Sequence, residues 1–174
     1  MATLADVSSK ETPQPSSDDV VFSHLDAQGN AHMVNVSEKA VTHRRAVARC
    51  RVLMNAATIE AIRTGDMKKG DVLGVARVAG IQAAKRTSDL IPLCHPLMIT
   101  GVTVEFDFEP NAISITATVT TYERTGVEME ALTACSVAAL TVYDMCKSTD
   151  KDMVITDLAL WEKDGGRSGT YRRQ

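Results

Sequence analysis

The chain is poor in aromatic rings, which make up 4% of its residues. Sequence-tolerant binders of single-stranded nucleic acid stack bases on such rings, so this shortage argues against that class. Excess positive charge is missing too. The formal net charge is -3, which does not favour attraction to DNA or to an anionic membrane surface. No apolar run is long enough to span a bilayer. The first residues lack the basic stretch followed by an apolar stretch that marks a secretory signal, so a cytoplasmic protein is expected. The four cysteines, Cys50, Cys94, Cys135 and Cys146, form no CxxC pair. Three sit inside apolar patterns, which predicts buried reduced thiols rather than disulfides or a zinc knuckle. Internal repeats are absent. So is the GxxxxGK[ST] loop that would cradle the phosphates of ATP, and the tail string Gly165-Gly166-Arg167-Ser168-Gly169 does not supply it.

What is present reads as one soluble globular domain. The 174 residues are enough to bury a core, and 44% are hydrophobic against 24% charged. Residues 1–21 are rich in Ser, Pro and Asp and are expected to be a disordered extension. The domain should run from Phe22 to Gln174 and end in a short flexible tail. From Arg45 to Met54 the chain alternates, with Ala46, Ala48, Cys50, Val52 and Met54 on one face and arginines on the other, which predicts a half-buried strand. Asn55 then offers an N-cap for a short helix over Ala56 to Arg63, stopped by Gly65. Asp71 to Lys85 reads as a second helix whose two internal glycines would mark close packing. Val102 to Phe108 and Ile113 to Val119 form a hairpin around Glu109-Pro110-Asn111. Glu128 to Lys147 is a long helix, with Thr125 and Glu128 as an expected capping box. Val154 to Trp161 is the last strand. This order predicts an α+β, ferredoxin-like fold, an antiparallel sheet with helices packed on one face.

Candidate chemistry starts on the long helix. Asp144 and Lys147 are one turn apart on a common face. Surface pairs of this kind are common and contribute little to stability. The apolar neighbours Val142, Tyr143, Met145 and Cys146 predict that this pair is partly buried, which would make it a candidate acid/base couple. Glu128 and Glu130 open the same helix. Acids favour a helix N-terminus in any case, but a carboxylate there can also accept from the amidine edge of a purine or pterin. Glu130 and Asp144 are about 21 Å apart along the helix axis. They would not touch one small substrate within a single chain, so a site shared between subunits is expected. His95 sits in the loop between Pro92 and Pro96, and loops held by rigid elements concentrate functional groups. A metal site there would need further ligands at a recognisable spacing, and none is present. Lys68, Lys69, Lys85 and Arg86 flank the second helix. Lys69-Gly70-Asp71 at its start would suit a phosphate.

Residue types and spacing do not name a reaction. The strings themselves do more. His32-Met33-Val34-Asn35-Val36, Lys69-Gly70-Asp71, Ala79-Gly80-Ile81-Gln82-Ala83-Ala84-Lys85-Arg86-Thr87 and Leu90-Ile91-Pro92-Leu93-Cys94-His95-Pro96-Leu97 resemble motifs of the MoaC family. So do Thr125-Gly126-Val127-Glu128-Met129-Glu130-Ala131-Leu132-Thr133 and Tyr143-Asp144-Met145-Cys146-Lys147. The resemblance runs from about Phe22 to Gly169. It implies conversion of 3′,8-cyclo-7,8-dihydroguanosine 5′-triphosphate to cyclic pyranopterin monophosphate, with release of pyrophosphate, in molybdenum cofactor biosynthesis. It implies a homohexamer built as a trimer of dimers, with sites at dimer interfaces. A functional link to the radical S-adenosylmethionine (SAM) enzyme of the preceding step follows as well. Asp144 and Lys147 match the family's catalytic pair. Leu93, Cys94, His95, Met129 and Glu130 match substrate-binding positions; Lys69, Lys85, Glu128, Arg44 and His32 match pocket-lining ones. No resident cofactor, nucleic-acid partner or membrane partner is expected, and a Mg2+ ion travelling with the triphosphate leaves no signature in a sequence.

Two other classes share parts of this pattern. A non-catalytic binding module on the same scaffold would need the pocket cations and Glu130 but no proton-transfer pair. An RNA-binding domain with this strand order would need exposed aromatics on its central strands. Phe106 and Phe108 share a face with Val102 and Val104 and so read as core.

Overall fold

The computed structural model describes residues 24–26 and 28–174. The chain divides into two compact units, Met1–Val34 and Asn35–Gln174. The expected disordered extension, residues 1–21, lies outside the described residues, as does Phe22, the expected domain start. In the first unit Leu25 and Ala31 form an isolated antiparallel bridge. The second unit carries all the named strands and helices.

Strand β1 (Thr42–Leu53) buries Ala46, Ala48, Cys50 and Val52 on one face, as the alternation predicts. Helix α1 (Ala56–Thr64) starts where the Asn55 side chain accepts from the Thr58 N–H, and it stops at Gly65. Helix α2 (Val72–Ala84) is capped by the Asp71 carboxylate, which accepts from the Gly74 N–H at 2.8 Å. A one-turn helix α3 (Thr87–Leu90) follows; at four residues it is too short to leave a periodic signal. The hairpin pairs β2 (Ile99–Glu109) with β3 (Ala112–Glu123) around a turn at Pro110 and Asn111. Helix α4 spans Glu128–Cys146 and β4 spans Val154–Asp164. Tyr171–Arg172 adds β5, paired with Glu162 and Lys163, so the tail holds a strand that the sequence reading missed.

The sheet order is β2-β3-β1-β4-β5, with every neighbouring pair antiparallel. This is the ferredoxin-like arrangement, with α2 and α4 as its two crossover helices. Because β1 and β3 run in opposite directions, the two helices are antiparallel too. They meet closely. Gly80 of α2 faces the Ala134 carbonyl and the Ala138 methyl of α4, and a Cβ built on Gly80 would lie 2.9 Å from that carbonyl. The second internal glycine of α2 is thus a packing requirement, as its position in an apolar run predicts. The core lies between sheet and helices: Ile113, Ile115, Ala117 and Val119 from β3 meet Ala131, Ala134, Cys135, Ala138 and Val142 from α4, all fully buried. Each large aliphatic chain in that layer contributes about 1.5–3 kcal/mol.

Two expectations need correction. The capping box at Thr125 does not form. Helix α4 begins at Glu128 after Val127, with no side-chain hydrogen bond at that cap. Strand β3 runs on to Glu123, so the chain needs the residues after it to cross from the sheet to the helix layer, and the Glu128 carboxylate folds back over Gly126. Phe108 is exposed rather than core, since it lies near the end of β2, an edge strand; the Arg63 guanidinium lies 4.9 Å from its ring. Phe106 is half-buried against the core under Arg77. At the start of α2 the Asp71 carboxylate accepts from the Gly74 N–H, and the Lys69 ammonium is bonded to Asp144. No helix among the described residues is long and apolar enough to cross a membrane.

Candidate functional site

The antiparallel helix pair sorts the candidate residues into two groups. At one end, the loop before α2 meets the C-terminus of α4. Lys147 Nζ lies 2.7 Å from Asp144 Oδ1, and Lys69 Nζ donates to Asp144 Oδ2 at 2.8 Å. Lys69 also donates to the Asp144 backbone carbonyl at 2.9 Å, at the helix end where carbonyls lack partners and a cation is favoured. The hydrogen bond from Lys147, then that from Lys69, holds the Asp144 carboxyl down at about 2. The same carboxylate raises Lys147 above its ordinary value. Both side chains are about half exposed. The expected partial burial is therefore corrected: Asp144 and Lys147 lie on the outward side of the last turn of α4, while Met145 and Cys146 between them turn into the core. Their shifts are those of an ion pair, not of desolvation. A cleft of about 550 Å³ opens here, lined by Lys69, Tyr143, Lys147, Ser148 and Lys151.

At the opposite end, the Pro92–Pro96 loop meets the N-terminus of α4. Glu130 is 4% exposed although it is charged in type. Burial first, and the neighbouring Glu128 charge second, push its carboxyl up to about 7, against its own backbone N–H, which favours the ionised form. A carboxylate held this way changes charge at neutral pH and has strong reason to seek a donor-rich partner. Cys94, half-buried in the loop, is raised by burial and then by the Glu130 charge. Leu93 and His95 flank it, also half-buried, and Met129 stands exposed on the helix beside Glu130. Lys85 is the C-cap of α2 and belongs to this end, about 20 Å along that helix from Lys69. Lys69 and Lys85, both expected to line the substrate pocket, are thus separated within a chain.

A cleft of about 640 Å³ adjoins this second end. Arg44 lines it from β1, and Glu128 from α4. The Arg44 guanidinium donates to the Glu123 and Arg124 carbonyls at 3.3 and 3.2 Å and lies against Gly166. Gly166 has φ +77°, and a side chain there would collide with that guanidinium, which gives the tail glycines a purpose. Four cations in this cleft escaped the sequence reading: Lys39, Arg124, Lys163 and Arg167. Lys163 lies 4.0 Å from Glu128 Oε1. Arg124 pins the segment before β1 by donating to the Ser37 and Lys39 carbonyls. The signal that could have revealed them was the glycine-rich string around Arg167, which follows a strand directly. His32 belongs to the first compact unit, where its backbone N–H donates to the His24 carbonyl at 3.0 Å.

The geometry thus provides a proton-bearing ion pair at one end of α4. At the other stand a buried carboxyl, a polar loop and a cleft with five cations against two acids, Glu38 and Glu128. Cations in that excess suit a polyphosphate. The model of the MoaC family matches residues 33–166, most of the chain, and both groups lie inside that span but for Arg167 and Ser168. The chain belongs to the MoaC family, whose members are enzymes of molybdenum cofactor biosynthesis.

Proposed function

We propose that the protein is a lyase that converts 3′,8-cyclo-7,8-dihydroguanosine 5′-triphosphate to cyclic pyranopterin monophosphate and pyrophosphate. In that reaction the purine-derived ring opens and recloses as a pyranopterin. The α-phosphate forms a second ester to a sugar hydroxyl as its bond to the β-phosphate breaks. The first part needs proton transfer; the second needs charge neutralisation on the departing pyrophosphate.

The observation that carries this reading is the division of labour along α4. The cation-lined cleft suits the triphosphate, with Arg44, Lys163 and Arg167 on the phosphates. Glu130, with a carboxyl that titrates near neutrality, accepts from the amidine edge of the base, and Leu93, Cys94 and His95 bound the ring. Asp144 and Lys147 move the protons. In an isolated chain they stand a helix length away and half exposed. A second protomer that brings its own α4 C-terminus to the Glu130 end supplies them and removes water from them. The assembly proposed is a hexamer, a trimer of such dimers. Lys69 then keeps the Asp144 carboxylate oriented rather than binding the phosphates.

The test is turnover of the purified cyclic nucleotide, followed by pyrophosphate release and by the mass of the pterin product. Both products should appear in equal amounts. Tight binding of the nucleotide with no pyrophosphate released would instead make the protein a binding module.

A further inference from the structure

Two buried thiols that the proposed chemistry does not use are in contact. Cys50 of β1 and Cys135 of α4 are 1% and 0% exposed, and Cys135 Sγ lies 3.2 Å from Cys50 Sγ, within hydrogen-bonding reach. They meet because α4 lies close on the sheet. Its inward side carries Ala131, Ala134 and Ala138, all fully buried, so no long side chain holds the helix away from the strands. Cys50 is cross-registered with Ile115, whose carbonyl also lies 3.7 Å from Cys135 Sγ, so the contact sits at the centre of the core. A disulfide requires a sulfur separation of about 2.05 Å, so closing the gap takes a movement of roughly 1.2 Å. Cys146 is likewise a buried free thiol.

We infer that Cys50 and Cys135 form a reversible oxidation site, closed to a disulfide by hydrogen peroxide. Cys50 is the attacking sulfur, because Cys135 donates a hydrogen bond to it and so favours its thiolate. The Cys50 thiolate attacks one peroxide oxygen, the O–O bond breaks, and hydroxide leaves to take up a proton as water. This gives a Cys50 sulfenic acid. The Cys135 sulfur then attacks Cys50, the S–S bond forms, and the departing hydroxide takes the Cys135 proton as a second water. Two thiols and one peroxide become one disulfide and two waters. Both thiols lie in the closed core, so peroxide reaches them only when α4 and β1 part, and oxidation is slow and follows the opening of the core. The product pins the middle of α4 to the central strand across 85 residues of chain.

The full-length protein is treated with peroxide, quenched, alkylated in denaturant and digested. The expected result is a single cross-linked peptide pair joining Cys50 to Cys135, the loss of two thiols of four, and full recovery of both after dithiothreitol. The Cys135→Ala variant, a loss of one sulfur only, should give no intramolecular link from Cys50. Four free thiols after peroxide would overturn the inference. So would links that map to Cys94 or Cys146, or links only between chains.

Discussion

Lys69 and Asp144 are joined twice: the ammonium donates to the carboxylate at 2.8 Å and to the backbone carbonyl of the same residue at 2.9 Å. Such a chelate fixes side chain and helix end together. In the Lys69→Met variant the Asp144 carboxyl should titrate higher than its present value of about 2. The change is measured by carbon-13 NMR of the labelled carboxyl. Turnover should fall about tenfold or more, since a misplaced proton-transfer group is costly.

Lys147→Ala and Asp144→Asn address the proton-transfer pair directly. The expected loss in kcat is about 10²–10⁴-fold for each. Both residues are half exposed, so the variants should unfold within roughly 0.5 kcal/mol of the parent in urea. Near-normal turnover in both would remove the pair from the mechanism.

Glu130 makes a prediction with a sign. Its carboxyl is raised in the folded protein to about 7, so the folded state holds a proton that the unfolded state releases from about pH 4.5 upward. Stability should therefore fall as pH rises from 4.5 to 7. Glu130→Gln should flatten that slope, worth on the order of 3 kcal/mol, as read by urea denaturation across the range. In the same variant the acid limb of the kcat/KM profile near pH 7 should disappear.

If one site draws on two protomers, damage at the two ends should complement. Glu130→Gln and Lys147→Ala chains, each weakly active alone, are unfolded together and refolded as a mixture. Random pairing should restore about a quarter of the parent activity through hybrid dimers with one intact site. No recovery, with mixed oligomers demonstrated by native mass spectrometry, would confine the site to one chain.

Gly166→Ala tests the cleft. Its φ of +77° is unfavourable for alanine, and the new methyl would meet the Arg44 guanidinium. A loss of roughly 1–3 kcal/mol is expected, together with weaker binding of a nucleoside triphosphate by calorimetry.

The sheet was legible because its strands alternate: the buried positions of β1 and β3 follow from period two alone, and the strand order follows from the ferredoxin-like sequence of elements. Local caps were half legible. Asn55 and Asp71 act as the spacing suggests, but Thr125 does not, because the length of β3 decides where α4 can begin. For the candidate site, the separation of Glu130 from Asp144 follows from helix rise and needs no coordinates. The exposure of Asp144 and Lys147 could not be read from apolar neighbours, since Val142, Met145 and Cys146 face the core while the pair occupies the outward side of the same turn. Lys163 and Arg167 were missed because their cleft forms only when the tail folds back on β1, a contact made across more than a hundred residues of chain.

The continuous α4 rod also sets what changes the protein can tolerate. A residue inserted between Glu130 and Asp144 would swing one end about 100° relative to the other and lengthen the rod by about 1.5 Å. Length variation should therefore collect at the Pro110–Asn111 bend, and α4 should stay fixed in register like a gauge block.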